Sequence, residues 1–159
     1  MADAATTPPR ADATGAAPGV FIDPYRAYSF RLEIQGVTQG HFIECTGLGI
    51  RVHPIRYQEG GGNVIHQIPG PLEYGDVTLR YGLTASHELW DWFMGIVQGR
   101  VERRNVSILM LDTDGATEVV RWNLVNAWPS EWRGAALDAL ARDVAIESLT
   151  LVFESLQRA

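Results

Sequence analysis

The sequence predicts a mainly β protein with one α-helix, folded as a small antiparallel β-barrel or a rolled sandwich. Three observations carry that reading. Apolar and polar residues alternate with period two in several short runs, as on half-buried strands. Glycine, proline and Asp-Gly signals cut the chain at hairpin spacing. Only one stretch, from Ser86 to Gln98, has helical periodicity. With 159 residues, 46% of them hydrophobic and 20% charged, the chain has the length and composition of one soluble domain.

Residues 1–22 are rich in Ala, Thr, Pro and Gly, with neither a basic start nor an apolar run, and read as a disordered tail rather than a signal peptide. Residues 23–157 form the domain. Its first strand sets Tyr28, Phe30, Leu32 and Ile34 against Ser29, Arg31, Glu33 and Gln35. After a turn near Gly36, His41–Cys45 reads as its hairpin partner, ending at Gly47-Leu48-Gly49. Residues 47–73 are expected to be a projecting arm, a hairpin of Ile50–Gln58 and Asn63–Ile68 around the tip Glu59-Gly60-Gly61-Gly62. Pro54 removes a ladder donor and Pro69-Gly70-Pro71 is expected to end the second strand, so this pair does not belong in the middle of a sheet.

Val77, Leu79 and Tyr81 alternate with Asp76, Thr78 and Arg80 in the next strand. The helix follows, with Ser86 as expected N-cap and Glu88 in the first turn, where the helix dipole favours negative charge. At 3.6 residues per turn Leu89, Trp90, Trp92, Phe93, Met94, Ile96 and Val97 sweep an arc of roughly 200°. That is wider than one small sheet covers, so part of it is expected to meet a neighbouring subunit. Val106–Leu111 is apolar on both faces, and Asp114-Gly115 supplies a hairpin turn. Glu118–Trp128 returns, Pro129–Trp132 is expected to break that strand, and Arg133–Arg142 is an Ala-rich connection with room for one helical turn. The last strand, Val144–Phe153, changes phase, which predicts a bulge near Glu147.

Several function classes fall away. A net charge of −6 and a pI near 5.1 lack the basic footprint of a nucleic-acid binder, and all thirteen basic residues are arginine. No run approaches the roughly 20 apolar residues of a membrane helix. Cys45 is alone, which excludes an intrachain disulfide. Gly47-x-Gly49 is followed by Val52 where a dinucleotide loop needs its third glycine, and the Gly60 triplet lacks the Lys-Ser/Thr of a phosphate loop. If the hairpin closes symmetrically, His53 and His66 face each other beside Glu59, but no further ligand stands at metal spacing. Ser86-His87-Glu88 holds catalytic residue types, yet neighbours on a helix start diverge and cannot form a nucleophile, base and orienter. Trp122 and Trp128 share a strand face with Leu124, which favours packing over a carbohydrate platform that includes Trp132. The residues therefore support no catalysis, cofactor or metal; a small-ligand-binding barrel, then a small hydrolase, remain the alternatives to a structural subunit.

Seven ordered blocks carry a resemblance that covers Phe21 to Gln157: Asp23-Pro24-Tyr25-Arg26; Gly47-Leu48-Gly49 with Tyr57-Gln58-Glu59-Gly60-Gly61; Tyr74-Gly75-Asp76-Val77-Thr78-Leu79; Glu88-Leu89-Trp90-Asp91-Trp92; Val101-Glu102-Arg103-Arg104-Asn105; Arg121-Trp122-Asn123 with Asn126-Ala127-Trp128-Pro129; and Ala145-Ile146-Glu147-Ser148-Leu149. In these the chain resembles the tail-tube family of contractile-tailed phages and of phage-like extracellular contractile injection systems. It departs from the family pattern in the tail before Val20 and at Ser155, where the family often has glycine. The resemblance implies subunits joined edge to edge into hexameric rings that stack into an inner tube with a lumen for cargo. It implies sheath, baseplate, tube-initiator and terminator-cap partners, assembly in the bacterial cytoplasm, and a particle of phage-tail type that can be released. Closure of a ring removes open strand edges, which fits the strand pattern. On this reading Arg51, Arg56, Glu59, Gly60, Gly61, Gly62, Trp90 and Trp92 are candidate inter-subunit contacts. Ser29, Arg31 and Glu33, with Asp76, Thr78 and Arg80, are candidate lumen lining by alternation.

Overall fold

A computed structural model describes residues 29–35, 42–83 and 85–159. The expected tail at 1–22, the start of the first strand at Tyr28, the turn near Gly36 and His41 lie outside the described residues. Among the described residues nine strands and one helix run in the order β1 (Phe30–Ile34), β2 (Phe42–Thr46), β3 (Ile50–Gln58), β4 (Ile65–Tyr74), β5 (Val77–Gly82), α1 (Glu88–Val97), β6 (Arg104–Leu111), β7 (Glu118–Arg133), β8 (Ile146–Val152) and β9 (Ser155–Arg158). The chain is thus mainly β with one helix. Seven strands form one antiparallel sheet ordered β1-β6-β7-β8-β5-β2, with β9 also on β7; β3 and β4 pair only with each other.

The long strand β7 makes the sheet roll. Its first half lies between β6 and β9, and its second half lies beside β8. Between them Asn126 adopts φ 54°, a left-handed residue at the point where the β6 register slips. The inward face changes phase there: Val120 and Leu124 are buried before it, Ala127 and Pro129 after it. Both halves of the sheet consequently turn apolar faces to one core, built on Leu32 and Ile34 of β1, Val106 of β6, Leu124 of β7, Leu149 and Leu151 of β8, and Val77 and Leu79 of β5. Helix α1 adds Leu89 and Trp92 to the same cluster.

Several expectations change. β2 is not the partner of β1: it pairs with β5, where Phe42 meets Tyr81 edge-on at 6.1 Å and Glu44 pairs with Arg80, while β1 pairs with β6. β4 does not stop at Pro69 but runs through Pro71 to Tyr74, because on a two-stranded ribbon every strand is an edge and a missing N–H can face outward. β7 likewise continues through Pro129–Trp132, absorbing the proline with a register shift against β8. The helix N-cap position belongs to His87 rather than Ser86 and carries no side-chain cap hydrogen bond. The connection 134–145 holds one hydrogen-bonded turn, the Ala141 amide donating to the Asp138 carbonyl at 3.2 Å, and no helix. No bulge occurs at Glu147, since β5 and β8 stay in register from Gly82↔Ile146 to Val77↔Leu151; Val144 simply precedes the strand. β9, unforeseen, caps β7 from Trp122 to Val125.

Truncating Leu149 tests the core directly. Leu149→Ala removes a fully buried side chain where both sheet halves meet, and denaturant unfolding should show a loss of about 2–5 kcal/mol.

Candidate functional site

The arm leaves the body at a crossing that admits no side chain. Gly47 has φ 88°, and a Cβ there would stand 2.0 Å from the Asp76 carbonyl oxygen. A Cβ on Gly75 would lie 2.6 Å from the Gly47 carbonyl oxygen, while the Gly75 amide donates to the Gly49 carbonyl at 2.9 Å. From this root β3 and β4 run antiparallel to the tip, where the Gly62 amide donates to the Glu59 carbonyl at 3.1 Å and Gly60 and Gly61 make the turn. Arg51 stands opposite Glu73 in register, and Arg56 opposite Gln67. The arm is exposed along both strands, with Ile50, Val52, Ile55, Ile65, Ile68 and Leu72 each about half open to solvent or more.

The register also separates the two histidines. His53 faces the root, its Nε2 at 2.5 Å from a Glu73 carboxylate oxygen; His66 stands opposite Tyr57 and stacks on it at 5.2 Å. They do not face each other, and Glu59 is in the tip. Among the described residues no group of three or more metal-ligating side chains comes together.

Of the two helix tryptophans, only one is at the surface. Trp92 is 3% exposed; its Nε1 donates to the Glu102 carbonyl at 2.8 Å, and the Arg104 guanidinium lies 5.1 Å from its ring centroid. A ring so enclosed by its own subunit is withdrawn from the candidate contacts. Helical spacing alone could not separate it from Trp90, which is 39% exposed and meets Trp132 edge-on at 4.7 Å. Trp122 shares the face of Leu124 as expected, but Trp128 does not, because the phase change at Asn126 intervenes; Trp122 and Trp132 pack on the core.

The lumen candidates divide between the two halves of the sheet. Arg31 and Glu33 are exposed on β1, and Ser29, just before it, accepts the Leu111 amide at its carbonyl at 2.8 Å. Across β1, β6, β7 and β9 the register aligns Glu33, Ser107, Asn123 and Gln157. On the other half it aligns Thr46, Thr78 and Thr150, and beside them Glu44, Arg80, Ser148 and Arg133. Thr78 and Thr150 hydroxyls are 3.2 Å apart. Asp76, exposed, precedes β5. Arginines on these faces meet carboxylates: Arg80 with Glu44 at 2.6 Å, Arg133 with Glu131 at 2.9 Å, and Arg121 with Glu118 and Glu33 at 2.7 and 3.4 Å. Exposed pairs stabilise by only about 0–1 kcal/mol; their larger effect is to cancel charge locally. Register, not alternation within one strand, sets Glu44, Ser107, Asn123, Glu131 and Thr150 beside these candidates.

The perturbed groups are not arranged for catalysis. Burial pushes the Cys45 thiol up to about 11, the reverse of an activated nucleophile. Burial first, then the Glu147 charge, pushes the Tyr81 phenol up to about 12. Hydrogen bonds from the Thr117 side chain and from the amides of Thr117 and Ala116 hold Asp114, in the β6–β7 turn, down at about 2.

The sequence matches the family described as T4-like virus tail tube protein gp19 over residues 26–157. Among solved structures, the chain is similar to a chain of the cryo-EM structure of the anti-feeding prophage cap (AFP tube terminating cap), with TM-score 0.80, 26% identity, and coverage of 88% of this chain and 93% of that one. It is similar to a chain of the PVC sheath-tube complex of an extracellular contractile injection system in the extended state, with TM-score 0.78, 28% identity, and coverage of 86% and 91%. Hcp1 from Flavobacterium johnsoniae shares the fold at TM-score 0.53 and 14% identity, over 81% of this chain and 93% of that one. Comparison with curated proteins gives no match.

Two measurements check this geometry. Trp92→Ala should cost about 3–5 kcal/mol in denaturant unfolding, whereas Trp90→Ala should cost clearly less in the isolated subunit. The fold favours the neutral Cys45 thiol, so its contribution to stability is intact below the ordinary value of 9.0 and is lost as pH rises toward about 11. At pH 8 iodoacetamide should accordingly alkylate Cys45 much more slowly in the folded protein than in urea.

Proposed function

The chain belongs to the T4-like virus tail tube protein gp19 family, and from that membership we propose that it is the structural subunit of the inner tube of a contractile injection system or phage tail. Six copies close a ring and rings stack around a lumen through which cargo passes. The observation that carries this reading is the arm: a two-stranded ribbon, apolar on both faces, that pairs with no strand of its own body. An isolated two-stranded hairpin is marginally stable in water, so the arm, including Arg51, Arg56, Glu59 and the Gly60–Gly62 tip, is completed by neighbouring copies.

Among the described residues, the edge strands β1 and β2 of the rolled sheet offer unpaired backbone donors and acceptors. A neighbour in the ring covers them, which is the general remedy for open edges. The paired Arg and Glu residues beside Thr78 and Thr150 suit a lumen wall, because a lining of balanced charge does not hold passing protein cargo. The similarity to chains of the sheath-tube and terminating-cap structures supports a sheath around the tube and a cap on its end, with baseplate and tube-initiator proteins below. Assembly takes place in the bacterial cytoplasm as part of a phage-tail-like particle that can be released. The role is architectural, without catalysis.

Negative-stain microscopy and size-exclusion chromatography test this. The purified chain, alone or with sheath and baseplate components, should give rings or rods; solely monomers under all of these conditions would sink the reading. Deleting Gly60–Gly62 should reduce assembly at least tenfold while circular dichroism of the body stays unchanged.

A further inference from the structure

We propose, resting on the tube reading, that the connection between β7 and β8 is a contact site for protein passing through the lumen, taking a short segment that is apolar and carries basic side chains. The connection does more than close the end of the sheet. Thr78 and Arg80 of β5 share a face with Ser148 and Thr150 of β8, and pairing places Glu131 and Arg133 of β7 on that face too. It is the polar face read above as lumen wall. The connection folds over its rim and bounds, with Arg80 and Ile146, an open cavity of about 1140 Å³.

That cavity is the apolar exception on a polar wall. Leu137 and Val144 on its sides are 86% and 74% exposed, Ile146 belongs to the sheet beneath, and alanines lie between them. A connection that only joined two strands in water would be made of polar residues and glycine. Exposed apolar surface gathered in one recess marks a place that a partner covers. The turn that presents it is formed: the Leu140 amide donates to Asp138 Oδ1 at 2.9 Å and the Ala141 amide to the Asp138 carbonyl at 3.2 Å. At about 1140 Å³ the cavity exceeds the roughly 300–1,000 Å³ of a drug-sized site, which is room for several consecutive side chains.

Charge selects the occupant. Among the described residues Arg80 is the one cation on the cavity lining, and it is already paired with Glu44 at 2.6 Å. Asp138 and Asp143 also line the cavity, and among the described residues neither is in an ion pair. The recess is therefore acidic, while the wall beside it is balanced by Arg80 with Glu44 and Arg133 with Glu131. A polypeptide segment with Leu, Ile or Val beside Arg or Lys satisfies both features, its apolar side chains in the recess and its cations against the two carboxylates. An acidic segment is repelled. The balanced wall lets protein pass, and the recess, repeated in every copy, retains it. Each contact is weak, and a protein long enough to reach several gains from their number.

Fluorescence anisotropy on the full chain tests this, with a short labelled peptide of Leu, Ala and Arg against one with Glu in place of Arg. The basic peptide should bind at least about tenfold more tightly, and about 1 M salt, which shortens screening to about 3 Å, should remove the preference. Asp138→Asn with Asp143→Asn keeps an acceptor for the turn and should bring the two peptides to equal affinity. Leu137→Ser with Val144→Ser should weaken the basic peptide at least about tenfold, while Leu140→Ser, outside the cavity, should leave it unchanged. All five side chains are exposed, so thermal melting should not move. Equal binding of both peptides to the parent, or unchanged binding in either double variant, overturns the proposal. Beads coated with the basic peptide, too large to enter a tube, should capture disassembled subunits and not the walls of intact rods. Capture along rod walls would turn the recess toward a sheath and overturn the lumen partner while leaving the tube reading in place. A parent that binds the peptide but never forms rods overturns the tube reading, and the lumen partner with it.

Discussion

The constraint on which the rest of this structure depends is that a two-stranded ribbon cannot bury its own side chains. The rolled sheet has a core closed by α1, but among the described residues β3 and β4 have no third strand and no covering layer. Their apolar side chains stay half open to water, where each incurs the cost that burial elsewhere relieves, about 25 cal/mol per Å² of apolar surface. In the tube proposed above, cover by other copies would bury that surface.

The body is built so that this unfinished part can be held rigidly. Gly47 and Gly75 bring two segments into backbone contact at the root, fixing where the arm leaves the sheet. Asn126 turns β7 from one half of the sheet to the other, so one core serves both halves, and among the described residues β1 and β2 are its edges. A closed barrel without β1 and β2 edges would be self-sufficient; a flat sheet would have no shared core. The rolled form gives a stable protomer with defined edges left for its neighbours.

Electrostatics are arranged around the same demand. An acidic chain that must contact itself repeatedly cannot carry its excess charge on the contact surfaces. The arm balances two arginines with two glutamates, and the sheet faces set Arg80, Arg121 and Arg133 beside carboxylates. These exposed pairs add little stability to the protomer. They lower the field that each copy presents to the next.

Local rules made much of this legible in the chain itself. Alternation identified β1 and β5, helical periodicity identified α1, Asp114-Gly115 placed the β6–β7 turn, and the glycine triplet marked the arm tip, because each of these signals acts over a few neighbouring residues. The pairing of β2 with β5, the continuous β7 through Pro129, the added β9, and the burial of Trp92 against Glu102 and Arg104 were decided only in three dimensions. Each depends on which distant segment lies alongside. Helical spacing cannot tell Trp90 from Trp92, and a proline stops a strand only when its missing N–H faces a partner. Residue type sets what a segment can do by itself; strand register and packing across the core select among those options, since only there do the competing backbone and apolar contacts meet.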